Sequence, residues 1–283
     1  KIQESTTTTT ITKTQHKLAR WQKLAKAKNP SHRFLIMTAP MLEIIYQQLN
    51  TKIKSLEQVK NLITPTRIAR QVRDDALVII LPMIIKCCVL NLHYAKGAKQ
   101  LKGETKFERF DDYIEKLQDP AFVDGFIRQY PVLTHLIDAK LTNYLSSMLA
   151  FFEHLETDLT QIKQEIFTDF TPTTFHKLVA SGDTHRQGKR VFVITFSDEN
   201  NTKKKLVYKP HSLGMDVAYH KFLGWYNSKK QGDNTQPLTS FKVIDREDHG
   251  WSEFVTHEGV NDATQLEQFY YSLGEILYLM YML

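Results

Sequence analysis

The residues best suited to chemistry lie in the last third of the chain, around one lysine and one Asp-Thr-His segment. Lys209 directly follows the apolar run Leu206–Tyr208, so the sequence predicts a cation at the end of a strand. A lysine in that position can neutralise the phosphates of a nucleotide, and a carboxylate from a following helix can hold it. Asp183 and His185 are two residues apart, and alternate residues of an extended segment project to the same side. That spacing allows both side chains to act on one ligand.

Two predicted hairpins and a helix would position these residues. Val191–Phe196 and Leu206–Tyr208 are rich in β-branched and aromatic residues, and the polar segment Ser197–Thr202 between them predicts a hairpin. Ser212 is a candidate cap for a helix that follows Lys209. Further along the chain, the same patterns predict two more strands and a last apolar helix. These elements are Phe241–Ile244 and Trp251–Val255, joined around Asp248-His249-Gly250, and a helix from about Gln265 to Leu283.

The preceding part of the chain is predicted to be helical. From Lys17 to about Phe170, apolar residues recur at three-and-four spacing. The most apolar stretch, Leu77–Leu92, contains Pro82, Lys86 and Asn91, so it is predicted to be a buried helix and not a membrane span. Three interruptions of the helical pattern are also predicted. They are breaks at Asp119-Pro120 and Tyr130-Pro131 and a loop at Lys102–Thr105.

The order hairpin, lysine, helix, hairpin, helix is typical of the small lobe of a kinase. We therefore expect an α+β fold, in which a helical scaffold precedes a kinase-like (lipid-kinase-like) small lobe with an antiparallel sheet. The expected divisions are a disordered segment or linker at 1–16, which holds a threonine tract, a helical region at 17–170 and the lobe at 171–283. The last helix stops within an apolar run, which predicts that the lobe is incomplete at its C-terminal end.

Composition and charge narrow the possible partners and compartment. Lys and Arg total 37 against 31 Asp and Glu in 283 residues, a formal charge of +6, but the lysines are scattered. The scattered charge disfavours a nucleic-acid-binding groove. DNA binding with a steep salt dependence would restore that hypothesis. The two cysteines, Cys87 and Cys88, are adjacent in an apolar run and are predicted to be buried free thiols. A reducing, cytoplasmic location is therefore expected, and the start of the chain lacks the pattern of a signal peptide.

Five strings in order resemble the class II lanthipeptide synthetases (LanM-type), in the N-terminal dehydratase domain. Two of them contain the chemical residues: Gly182–Val191 is similar to the family's Gly-Asp-x-His-x-x-Gly-Arg motif, and Leu206–Leu213 to its Val-Tyr-Lys-Pro-Arg-Ser-Leu motif. His211 stands where the family usually has Arg, which puts a bidentate contact in doubt. The other strings are Leu101–Thr105 with Glu108–Phe110, Tyr130–Leu133, and Asp245-Arg246 with Gly250–Val255.

The resemblance implies an ATP-dependent enzyme that acts on a ribosomally made precursor peptide. Ser and Thr would be phosphorylated with ATP and Mg²⁺, and phosphate would then be eliminated to leave dehydroalanine or dehydrobutyrine. A separate zinc-dependent cyclase domain would form the thioether rings, and an export transporter is a possible further partner. Lys209, Asp183 and His185 would be catalytic, and Lys209, Gly182, Gly188 and Glu253 would contact the nucleotide.

Each of these residues also has a structural explanation that involves no catalytic or binding role. Lys209 could be a surface lysine after a strand, Asp183 a capping residue beside a solvated His185, and the two glycines simple turns. Glu253 and Asp216 are as readily explained as surface charges.

The resemblance also predicts what this chain lacks. The catalytic loop and the magnesium ligands are expected beyond Leu283, so no metal ligand is assigned and the chain alone is expected to be inactive. The alternative is a non-catalytic leader-peptide-binding module or one part of a split protein. The gene downstream of position 283 would separate these hypotheses.

Overall fold

The computed structural model describes residues 19–185, 189–230, 237–256 and 259–282, with only the backbone for 182–185. The predicted segment 1–16 and Gly188 therefore lie outside the described residues. The chain divides into two compact units. The first is the chain up to Leu159 with Pro172–Lys177 and Asp183–Arg190, and the second is Thr160–Thr171, Leu178–Gly182 and Val191–Leu283.

Helices dominate the first part of the chain, as the apolar periodicity predicted. Thr105 begins one of them with a capping box, since its hydroxyl accepts from the Glu108 backbone N–H while the Glu108 carboxylate accepts from the Thr105 N–H. Pro120 and Pro131 each begin a new helix, so the breaks predicted there are confirmed. The helices are α1 Gln22–Ala25, α2 Ala39–Ser55, α3 Pro65–Ile79, α4 Leu81–Gly97, α5 Lys106–Lys116, α6 Pro120–Gln129 and α7 Pro131–Glu165, with 3₁₀ turns at Pro30–Thr38 and Val59–Asn61.

The sequence predicted one buried helix over the apolar stretch Leu77–Leu92, and this prediction is wrong. The stretch is divided between α3 and α4, which meet at Ile80 with a bend of 66°. Pro82 lies in the first turn of α4, where its missing N–H costs no helical hydrogen bond. Burial is one-sided: Ile84 is fully buried, whereas the side chain of Val78 is 70% exposed. Among the described helices none is long and apolar enough alone to cross a membrane, although α3 and α4 together would pass that test.

A carboxylate of α7 connects this helix to the segment between α2 and α3. Glu156 accepts backbone hydrogen bonds from Glu57, Gln58 and Val59, at 2.9–3.1 Å. Apolar residues of α7 on either side of it, among them Phe152 and Leu159, are buried. Long-range packing therefore fixes the start of the 3₁₀ turn at Val59.

The strands form one five-stranded sheet in the order β1-β2-β3-β5-β4. Their bounds are β1 Thr174–His185, β2 Lys189–Ser197, β3 Lys203–Lys209, β4 Val243–Asp245 and β5 Gly250–Glu253. The predicted hairpin is confirmed, because β2 and β3 pair antiparallel from Phe192↔Tyr208 to Ser197↔Lys203. The second predicted hairpin is also present, with shorter strands, and β5 pairs antiparallel with both β3 and β4. An α+β fold is thus confirmed.

Two helices complete the second unit, α8 Gly214–Lys229 and α9 Ala263–Met282. Leu223 of α8 and Leu279 of α9 are buried in one cluster with Leu238. Glu275 of α9 accepts a hydrogen bond from the Tyr226 hydroxyl at 2.6 Å and pairs with Lys230 at 2.8 Å. Apolar packing and a half-buried charge cluster therefore join α9 to α8.

Candidate functional site

Lys209 is the last residue of β3, the central strand of the sheet. Its ammonium donates to a carboxylate oxygen of Asp216 at 2.9 Å, and about a quarter of each side chain is exposed (26% and 28%). The strand fixes the direction of the lysine and the carboxylate fixes its end. This is the arrangement of strand-end cation and helix carboxylate that the sequence suggested as one possibility.

Asp216 reaches Lys209 because α8 begins directly after a tight turn. The helix starts at Gly214, and Asp216 lies in its first turn, where a negative charge is favourable to the helix dipole. Ser212 was predicted to cap this helix. The residue in the cap position is Leu213, but the Ser212 hydroxyl does accept from the Gly214 backbone N–H at 3.1 Å. The predicted residue contributes, one position away from the expected geometry.

His220 lies one turn beyond Asp216 on α8 and was not predicted as a site residue. Burial lowers the pKa of this imidazole, the charge of Asp216 opposes that shift, and the charge of Lys209 adds to it. The ring packs edge-on against Phe241, 4.1 Å between centroids. Its buried Nδ1 has no hydrogen-bond partner within the part of the chain that the structure describes. An imidazole whose pKa is lowered by burial therefore lies one turn from the carboxylate that holds Lys209, and its four-residue spacing from Asp216 was the available sequence signal.

The other predicted site residues are only partly placed. Gly182, Asp183 and His185 belong to β1, but their side chains lie outside the described residues. Their predicted roles stay predictions.

Glu253 is placed, and it lies away from Lys209. Lys209 pairs with Gly250, whereas Glu253 pairs with Leu206, about 10 Å further along the strand at ~3.3 Å per residue. The carboxylate of Glu253 accepts from the backbone N–H of Lys242 at 3.3 Å. The structure does not bring Glu253 and Lys209 together, so the contact predicted between Glu253 and a nucleotide stays a prediction.

His211, which stands where the resembling family usually has Arg, is exposed. Its Nδ1 lies 2.9 Å from the carbonyl oxygen of Ser212. The ring is therefore engaged with its own turn.

Residues 130–283 match the family described as domain of unknown function DUF4135. Because the match covers more than half of the chain, the protein belongs to this family.

A known relative is the lacticin 481/lactococcin biosynthesis protein LcnDR2 of Lactococcus lactis subsp. lactis. It is 26% identical over 219 aligned residues, and the match covers 75% of this chain and 23% of the relative. The chain thus spans about a quarter of the length of that protein. Together these similarities confirm the predicted relationship to class II lanthipeptide synthetases.

Proposed function

We propose that this chain supplies the phosphate-binding part of a kinase-like dehydratase that modifies Ser and Thr of a precursor peptide. The observation that carries the proposal is the Lys209–Asp216 pair at the end of the central strand. An ammonium has three donors, so Lys209 retains Asp216 with one N–H while the others bind phosphate oxygens. The relationship to a lanthipeptide biosynthesis protein supports the choice of substrate class.

Phosphorylation is the first proposed half-reaction. A Ser or Thr hydroxyl attacks the γ-phosphorus of ATP, the bond from this phosphorus to the β-phosphate oxygen breaks, and ADP leaves while a general base accepts the hydroxyl proton. Lys209 stabilises the charge on the phosphates during this transfer. Mg²⁺ would neutralise further phosphate charge.

Elimination is the second proposed half-reaction. A base removes the α-proton of the phosphorylated residue, the Cβ–O bond breaks, and inorganic phosphate departs to leave a carbon–carbon double bond. Asp183 and His185 are the proposed participants, because their two-residue spacing in β1 suits a joint action on one substrate. The proposed cellular setting is the cytoplasm, where ATP is available, and a cyclase domain and an export transporter are proposed partners.

The test uses the full-length gene product, co-expressed with a precursor peptide rich in Ser, Thr and Cys. Lys209→Met should reduce ATP-dependent loss of water from the peptide by roughly 10²-fold or more, the usual effect of removing one charge-stabilising donor. Lys203→Met is the matched control, since it removes a lysine from the other end of the same strand. Peptide mass spectra after fixed times provide the measurement.

A second variant separates the two half-reactions. Asp183→Asn should leave phosphorylation intact and cause phosphorylated peptide to accumulate, which phosphopeptide mass shifts would reveal. Undiminished dehydration by Lys209→Met would refute the proposed phosphate contact. Complete dehydration by Asp183→Asn would remove this residue from the elimination step.

A further inference from the structure

A carboxylate from another strand fixes the turn between Lys209 and Asp216. One oxygen of Asp245 accepts from the Ser212 hydroxyl at 3.0 Å and also from the Leu213 backbone N–H. Ser212 in turn accepts from the first N–H of α8. Asp245 therefore holds, from the end of β4, the two residues that directly precede the first residue of α8.

Sheet register places this carboxylate in one row with the lysine. Lys209 on β3 pairs with Gly250 on β5, and Gly250 pairs with Asp245 on β4. The turn packs against this row through Leu213, whose side chain is fully buried. A Cβ added at Gly250 would lie 2.6 Å from the Cγ of Leu213. The helix start is thus attached to the same three strands that present the ammonium.

The negative charge of Asp245 also suits its position beside the start of α8. Asp245 lies at the N-terminus of a 16-residue helix, where the partial positive charge of free N–H groups favours an anion. Asp216 stands in the first turn of that helix, so any movement of the helix start moves the carboxylate that holds Lys209.

We infer that Asp245 is a positioning residue, which acts through α8 and Asp216 to hold the Lys209 ammonium in place. The inference rests on the proposed phosphate-binding role of Lys209. Its contribution is geometric: without Asp245 the turn between Lys209 and Asp216 is no longer held to the end of β4.

The first test measures the ammonium itself and needs no nucleotide. Acetylation rates of individual lysines are followed by mass spectrometry at one pH. Asp245→Ala should raise the rate at Lys209 by about fivefold, the factor that corresponds to the ~1 kcal/mol net contribution of a typical hydrogen bond. The rate at Lys203 should not change.

Asp198→Ala is the matched control for this measurement. Asp198 accepts from the backbone N–H groups of Asn200 and Thr202 at 2.9 and 2.8 Å, so it fixes a turn at the opposite end of β3. Its replacement should cost stability of a similar kind and leave acetylation of Lys209 unchanged. If Asp245 had only a structural role, Asp245→Ala and Asp198→Ala should have the same effect on the acetylation of Lys209.

The second test measures affinity of the full-length protein for a non-hydrolysable ATP analogue. Asp245→Ala should weaken binding by roughly fivefold in the wild-type background and not at all in a Lys209→Met background. Asp245→Asn keeps the accepting oxygen and should restore most of the affinity. The double substitution therefore separates an effect through Lys209 from a general loss of stability.

The outcomes are distinguishable. Unchanged labelling of Lys209 in Asp245→Ala refutes the inference, whatever the nucleotide data show. Unchanged nucleotide affinity in Lys209→Met refutes the proposed function, while the labelling result still decides the role of Asp245. If Asp245→Ala does not fold, Ser212→Ala removes one of the two groups held by Asp245 and should raise labelling of Lys209 about twofold, with no increase counting against the inference.

Discussion

Replacing Gly250 by alanine should disturb the row of paired residues Lys209, Gly250 and Asp245. A Cβ at this position would lie 2.6 and 2.7 Å from two carbons of Leu213 and 2.7 Å from the carbonyl oxygen of Ile244. Leu213 is fully buried and has little room to rotate away, and the carbonyl belongs to the neighbouring strand. The strands β4 and β5, or the turn that carries Leu213, must therefore move.

The expected cost follows from two opposing effects. Overpacking of a filled core site costs about 1–3 kcal/mol. Alanine also restricts the unfolded chain, which returns roughly 0.4–1 kcal/mol. The net result should be destabilisation by about 1–2 kcal/mol, or a melting temperature lower by ~2–4 °C for each kcal/mol.

Gly224→Ala is the matched control with the opposite expected sign. Gly224 lies within α8, and a Cβ there meets no atom within 4 Å among the described residues. Alanine in a helix interior is favoured over glycine by roughly 0.5–1 kcal/mol, so this variant should be more stable than the parent protein.

Thermal unfolding followed by circular dichroism compares the three proteins, and acetylation of Lys209 reports whether the turn has moved. A Gly250→Ala protein that melts at or above the temperature of the parent would refute the predicted clash, and so would a shift of both alanine variants in the same direction.

Two further predictions concern the helical part of the chain. Burial tends to raise the pKa of Glu156, but hydrogen bonds from backbone N–H groups at 57–59 lower it overall. Its contribution is therefore present above the unfolded pKa of about 4.3 and lost as pH falls through the lower folded pKa. Glu156→Gln should lower the free energy of unfolding, measured in urea at pH 7, by about 1 kcal/mol. The loss is small because the carboxylate is partly exposed to solvent. An equal loss at pH 7 and pH 3 would contradict this prediction. Burial raises the pKa of Cys88 to about 12, so iodoacetamide at pH 8 should label half-buried Cys87 first, and faster labelling of Cys88 would disprove its burial.

The hairpin that carries Lys209 could be predicted because its signals are local. β-Branched and aromatic runs on both sides of a polar segment gave the pairing of β2 with β3, and Asp198 closes the turn through its own neighbours. Pro120 and Pro131 marked helix starts for the same reason, since proline acts within one turn of chain. Local chemistry thus located the strand-end cation.

The bend between α3 and α4 was missed because apolar periodicity continues across it. Residues from Leu77 to Leu92 keep a helical spacing, and only the position of Pro82 within the first turn of α4 shows where one helix ends and another begins. The Nδ1 of His220, which has no hydrogen-bond partner among the described residues, was missed for another reason. Whether a buried imidazole has a partner depends on the residues packed around it, such as Phe241, and not on its own segment.

Two of the strings that resemble lanthipeptide synthetases, separated by more than thirty residues, belong to one packing unit. Leu206–Leu213 contains the second half of β3 and the turn after Lys209, and Asp245 with Gly250–Val255 contains the end of β4 and all of β5. β3 pairs with β5 from Leu206↔Glu253 to Lys209↔Gly250, and Asp245 accepts from the turn. A change on either side would shift the position of the ammonium. The two segments therefore hold one lysine jointly, because β5 pairs with the strand that carries Lys209 and Asp245 holds the turn that follows it.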